Sequence, residues 1–269
     1  SRGDLSALCA PDTLERHHGH GVDRVALMLG LSLALHHRVG GEASAPFPAD
    51  DLEAWYDPSD LSTLWQDTEG TVPVTAAGQA VAKVTDKSGN GFDLAQSIPA
   101  ARPIYKTDGT LHWLEFDGLD DNLRCPVGPR SAPGTFGMSL DVLSLPVSFA
   151  NPAESASKAP QLYITQSQPN QLRGFWGDGF LFVSREAAFP DIGPTSLLTW
   201  LDGTVATLKS EDREFVTADV TPSGSDGPLD IGKASFHGRV FAATYHRSAL
   251  TVAGRARVET YLNTRAGIA

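Results

Sequence analysis

The sequence predicts an all-β fold built from two stacked antiparallel sheets, preceded by a helical arm and closed by a helix. Three observations predict it. The 269 residues include 26 Gly and 18 Pro, too many for a helical protein and too few for a low-complexity chain. From Pro46 onward, short runs with period-two alternation are separated by turn residues. A chain of this length can bury a large single core.

Residues 1–47 differ from the rest and are read as an anchoring or oligomerising arm, with residues 48–269 as the sandwich domain. Val25 to Leu35 is apolar apart from Gly30 and Ser32. At about 1.5 Å per residue it covers roughly 16 Å, half a bilayer core, so no membrane span is expected. A helix apolar on every side needs a cover. Val25, Leu29 and Leu33 are therefore the oligomerisation candidates, covered by a partner chain or a symmetry mate; packing on the chain's own sandwich is the alternative. Ala43-Ser-Ala45 before Pro46 resembles a leader-peptide cleavage site, but the mixed-charge segment ahead of the run and His36-His-Arg38 after it favour an uncleaved arm. His17, His18, His20, His36 and His37 lack a spaced Asp, Glu or Cys to complete a metal set.

The strand expectations run in order through the chain. Glu53–Tyr56 ends at the turn Asp57-Pro-Ser-Asp60, and Leu61 to Gln66 is brief and helical or irregular. Val81–Thr85 enters Asp86-Lys-Ser-Gly-Asn-Gly91, whose two glycines suit positive φ. Within residues 113–116, Trp113 and Glu115 share one face and Leu114 and Phe116 the other. Further strands are expected over 139–145, 161–166, 171–176, 179–184, 196–201, 206–209, 214–219, 229–232 and 238–246. Asp202-Gly203 between apolar runs suits a type I′ hairpin. A final helix is capped by Thr251, carries Val252, Val258, Tyr261 and Leu262 on its apolar face, and stops at Gly267.

Two turn-rich phrases, Asp86 to Gly91 and Glu115-Phe-Asp-Gly-Leu-Asp-Asp121, resemble those of concanavalin A-like (laminin-G-like) jelly-roll domains. The likeness extends to Ala54-Trp-Tyr-Asp-Pro-Ser-Asp60, Ala101-Arg-Pro103, Leu229-Asp-Ile-Gly232, Phe236-His-Gly-Arg-Val-Phe-Ala242 and the closing helix. It implies a jelly-roll sandwich of the kind seen in phage and gene-transfer-particle fibre or spike proteins. It further implies a virion-surface location, assembly with other virion subunits or as a homo-oligomer, and contact with cell-surface glycan; a purely structural virion assembly role and a secreted, extracellular glycoside hydrolase of the same fold are the alternatives. Residues 126–195 fall outside the likeness.

The formal charge of −11 excludes generic binding to nucleic acid. Cys9 and Cys125 are far apart in sequence and are taken as thiols. For a glycan, Trp176 with Asp178 in a glycine-flanked turn and the outward Trp113 are the candidate contacts. Asp117, Asp120 and Asp121 are a candidate calcium set, although the same residues suit a plain turn; no other cofactor is expected. Glucanases of this fold carry a Glu-x-Asp-x-Glu strand, and here Glu115-Phe-Asp117 begins one but Leu119 stands where the second Glu belongs. No Gly-x-Ser-x-Gly elbow, His-Glu-x-x-His helix or phosphate loop occurs. The expectation is therefore a chain without enzymatic activity.

Overall fold

The computed structural model describes residues 45–49, 51–126, 134–144, 149–155, 161–165, 171–176, 179–184, 193–211, 213–221, 228–233 and 235–269. They belong to one compact unit, Ala45–Ala269. The arm candidates Val25, Leu29 and Leu33, together with Cys9 and Asp178, lie outside the described residues.

The strands are β1 (Leu52–Tyr56), β2 (Leu64–Trp65), β3 (Lys83–Val84), β4 (Leu94–Ala95), β5 (Ile104–Thr107), β6 (His112–Asp117), β7 (Leu123–Cys125), β8 (Gly134–Ser144) and β9 (Phe149–Ser155). They continue with β10 (Gln161–Thr165), β11 (Gln171–Trp176), β12 (Gly179–Ser184), β13 (Thr195–Asp202), β14 (Val205–Ser210), β15 (Arg213–Thr217), β16 (Leu229–Lys233) and β17 (His237–His246), before helix α1 (Val252–Ala266). One sheet runs β15-β14-β13-β8-β17-β6-β5, with β1 also on β17; the other runs β12-β11-β10-β9-β16-β7-β4-β3-β2. All strand pairings among the described residues are antiparallel. The all-β sandwich with a C-terminal helix is the architecture observed.

Alternation decides which side chains fill the space between the sheets. Leu114, Phe116, Phe136, Met138, Leu140 and Val240 of the first sheet join Leu123, Leu162, Leu172, Trp176, Leu181 and Ile231 of the second in one apolar cluster. A second cluster lies on the outer side of the first sheet, where Trp55, Leu198, Trp200 and Ala242 meet Val258, Tyr261 and Leu262 of α1. The helix therefore covers part of that face and closes a third layer. Phe47, assigned to the arm by sequence, is buried against Trp55, Tyr261 and His246, with ring centroids 5.3, 5.0 and 5.5 Å away.

The caps of α1 follow the expectation. The Thr251 hydroxyl accepts the Gly254 N–H, and Gly267 stops the helix at φ +70°. Val252 departs from it: it is 75% exposed, so the buried stripe starts at Gly254 and continues through Val258, Tyr261, Leu262 and Ala266. The Asp202-Gly203 hairpin is also shifted by one residue. Asp202 is the last residue of β13 and pairs with Val205, so Gly203 and Thr204 form the loop. Only Gly203, at φ +60°, is left-handed, which fits the II′ pattern better than I′.

The Asp86–Gly91 phrase is a staple. The buried Asp86 carboxylate accepts the N–H groups of Trp55 and Ser88 at 2.9 Å each and of Phe92 at 3.2 Å. The Asn90 amide donates to the carbonyls of Leu52 and Glu53, tying the turn to β1. Gly232 is required for a different reason. Its φ is +77°, and a Cβ there would sit 2.0 Å from the Phe116 ring.

Candidate functional site

β6 and β17 are the strands on which the site is built. Leu114 and Phe116 point into the core, so Trp113, Glu115 and Asp117 line the opposite face of β6. Pairing sets His237 beside Asp117 and Arg239 beside Glu115 on β17. On the other side of β17, β8 brings Ser144 to His237 and Asp141 to Arg239. β5 contributes Lys106 opposite Trp113. The helix packs over β13, β8 and β17, and it leaves this polar stretch of the first sheet partly open: the side chains of Glu115, Arg239 and Lys106 are 31%, 34% and 39% exposed.

Arg239 is the centre of the arrangement. Its guanidinium lies 4.9 Å over the half-buried Trp113 ring. Its Nε is 3.8 Å from Glu115 Oε2 and its Nη1 is 3.4 Å from Asp141 Oδ2. Lys106 Nζ approaches the other Glu115 oxygen at 3.8 Å, and the Trp113 indole N–H donates to Glu115 at 3.3 Å. Burial pushes the Asp141 carboxyl above the ordinary carboxylate range, and Arg239 pulls it back down. Ser144 Oγ and His237 Nδ1 are 2.5 Å apart at the end of the same face.

The acidic turn follows directly on β6. The carboxylate oxygens of Asp117, Asp120 and Asp121 lie within 4.8 Å of one another, and Asp117 and Asp120 are exposed. That geometry could hold a hard cation. Turn chemistry also accounts for part of it: Asp117 accepts the Leu119 N–H at 2.8 Å, and Asp121 accepts the Asp117 N–H at 3.0 Å. Burial, then the neighbouring Asp117 and Asp120, push Asp121 up to about 6. Gly118 is left-handed at φ +79°, and a Cβ there would meet His237 at 2.7 Å, so the turn is seated on β17.

The structure separates the two tryptophan candidates. Trp113 lies on the open face, four residues along β6 from Asp117, where the acidic turn begins. Trp176 does not form a glycan platform: it is fully buried between the sheets, and its indole N–H donates to Thr199 Oγ1 at 2.7 Å. Its position on the buried side of β11, shared with Leu172, is the physical reason. Asp141 and Arg239 were missed in the sequence because they are 98 residues apart and meet only through the β8–β17 register. The Glu-x-Asp start of β6 was the one available signal. Position 119 lies beyond the strand, with Leu119 79% exposed.

A concavity of about 430 Å³ lies elsewhere, along α1, lined by Pro46, Ala256, Arg257, Thr260, Tyr261, Thr264 and Arg265. It offers no carboxylate. Arg257 is occupied with the Pro46 carbonyl at 3.0 Å and Arg265 with Asp57 at 3.0 Å. Its chemistry is poorer than that of the open face.

Two buried groups in this unit give opposite pH dependences. His246 is fully buried, neither ring nitrogen has a hydrogen-bond partner, and burial pushes it down to about 4, opposed by Asp51. The unfolded chain then binds more protons below pH ~6.5, so this stability is complete above that pH and drains as pH falls towards 4. Asp121 has the reverse sign: its raised value favours the fold below the ordinary carboxylate range and costs stability as pH rises through about 6. The expected result is a melting temperature that falls on acidification, with a smaller fall in His246→Leu. An equal fall in both proteins would remove His246 as the cause.

No protein-family model matches the sequence, and no curated protein matches it. The fold is similar to that of Trypanosoma rangeli sialidase in complex with sialic acid, at 10% identity and a TM-score of 0.53 over 81% of this chain and 33% of that one. A GH54 α-L-arabinofuranosidase soaked with a cyclic sulfate inhibitor gives a TM-score of 0.55 at 10% identity, over 81% of this chain and 64% of that one. The HCR/D F1240A mutant gives 0.51 at 8% identity, over 75% of this chain and 51% of that one. The chain thus spans about a third of the sialidase and under two thirds of the arabinofuranosidase. The likeness is one of fold. It is a β-sandwich fold found in carbohydrate-active proteins, and none of these three names mentions a phage fibre. The expectation of a chain without enzymatic activity is corrected here. Two of these neighbours are glycan-directed enzymes by name.

Proposed function

We propose that this chain acts on carbohydrate, binding saccharide on the open face of the first sheet and cleaving a glycosidic bond there. The observation that carries the reading is the convergence of Glu115 and Asp141 on Arg239 beside the Trp113 ring. An aromatic face suits the C–H side of a sugar ring, and fixed carboxylates suit its hydroxyls. The enzymatic neighbours of like fold support it.

The roles follow from environment. Asp141, pushed up by burial, is the better proton donor to a leaving oxygen, and the more exposed Glu115 is the better partner for water. The two acids stand on strands either side of β17, and both side chains reach Arg239 between them. Arg239 holds both carboxylates in register.

Trp113→Ala tests the binding half. It is expected to weaken binding of a saccharide recognised by the full chain about tenfold or more, with the circular dichroism spectrum unchanged. Undiminished binding by a folded variant would remove Trp113 from the site. The cell-surface source of the glycan, homo-oligomerisation through residues 1–47 and a place on a virion surface or outside the cell are further parts of this proposal, on which the fold is silent. Light scattering of the full chain and of a chain lacking residues 1–47 tests the oligomer.

A further inference from the structure

We propose that Ser144 and His237 form a nucleophilic pair on the open face of the first sheet, which cleaves carboxylic esters through a Ser144 acyl-enzyme. The proposal stands apart from the saccharide reading above and uses side chains that reading leaves idle.

A β-bulge makes the pair. By plain alternation Ser144 would share the buried side of β8 with Leu140 and Val142. The register shifts there: Val142 lies opposite Gly238, and Ser144, two residues on, lies opposite His237, one residue back. Leu143 is the extra residue, and it re-aims the Ser144 hydroxyl to the face that carries His237. The 2.5 Å between Ser144 Oγ and His237 Nδ1 is the reach of a nucleophile to its base. Both residues are half-buried, so the hydroxyl is held in place and still open to a small ligand.

His237 is fixed on its other flank by the turn after β6. Asp117 lies opposite it, and left-handed Gly118 sits so close that a Cβ there would meet the His237 Cβ at 2.7 Å. Serine, histidine and aspartate thus stand in a row across β8, β17 and β6. The carboxylate favours the imidazolium that forms during reaction. Arg239, two residues along the same face of β17 and so about 7 Å up the strand, adds a cation for the developing oxyanion.

The Ser144 hydroxyl proton passes to His237 Nδ1 as Oγ bonds to the ester carbonyl carbon. The bond from that carbon to the alcohol oxygen then breaks, and the alcohol leaves with the proton from His237. Water repeats both steps on the acyl-serine, releasing the carboxylic acid and restoring the pair.

The full chain, treated with a fluorophosphonate and digested, is expected to carry the phosphonyl group on Ser144 by mass spectrometry. It should also hydrolyse 4-nitrophenyl acetate, with Ser144→Ala and His237→Gln each slower by about a hundredfold or more at an unchanged circular dichroism spectrum. A label on another residue, no label, or a folded Ser144→Ala protein hydrolysing at the parent rate would overturn the proposal and leave the pair as a plain hydrogen bond between strands. If a variant does not fold, the labelled position in the parent chain decides. Neither probe carries a sugar, so this failure and failure of the saccharide reading are seen separately.

Discussion

Glu115→Gln and Asp141→Asn are each expected to reduce saccharide cleavage by about a hundredfold or more while leaving saccharide affinity within about tenfold. The magnitude is that of a positioned proton donor or acceptor. The split between rate and affinity separates these acids from Trp113, whose loss acts on binding. Proton NMR of the products immediately after cleavage distinguishes inversion, with a water between the acids, from retention through a covalent intermediate. Each substitution also frees Arg239 from one carboxylate, so thermal melts must accompany the rates. A folded Glu115→Gln protein that cleaves at the full rate would end the catalytic reading.

Trp176→Ala should cost about 4 kcal/mol of stability, in the range for emptying a large aromatic site in a packed core. The indole is fully buried and donates to Thr199 Oγ1, whose hydroxyl donates in turn to the Thr207 carbonyl at 2.8 Å. Removal leaves both a cavity and a disturbed chain of buried polar groups. Trp176→Phe should cost less, since most of the volume stays. Urea denaturation of the two variants against the parent measures this. A loss below about 1 kcal/mol in Trp176→Ala would show a site that collapses or fills with water. Saccharide affinity per folded molecule should not change, because no face of this ring reaches solvent.

Much of the architecture was legible because it depends on local chemistry. Period-two alternation placed strands at 161–166, 171–176, 179–184 and 196–201 within a residue or two of β10, β11, β12 and β13. Thr251 and Gly267 bounded α1 because a capping hydroxyl and a left-handed stop need no distant partner. Other strands were not legible. β9 contains Pro152, which argues against a strand by sequence, and β4 and β7 are too short to show a period. β8 starts at Gly134, well before the expected 139, through a Gly-Thr-Phe-Gly stretch with weak strand character. Gly137 is needed there because α1 lies on it: a Cβ would meet Leu262 at 2.8 Å.

The site divides along the same line. By itself the sequence determined that the chain is acidic and sheet-rich, that Trp113 and Glu115 share a face, and that the Asp86 and Asp117 phrases are turns, since each rests on composition or on neighbours a few residues apart. Only the tertiary structure decided that Trp176 faces inward, that α1 covers one part of the first sheet and leaves another open, and that Asp141 and Glu115 meet at Arg239. Those outcomes depend on which strands pair and in what register, and a one-residue slip in any of the pairings would turn the same side chains to the opposite face.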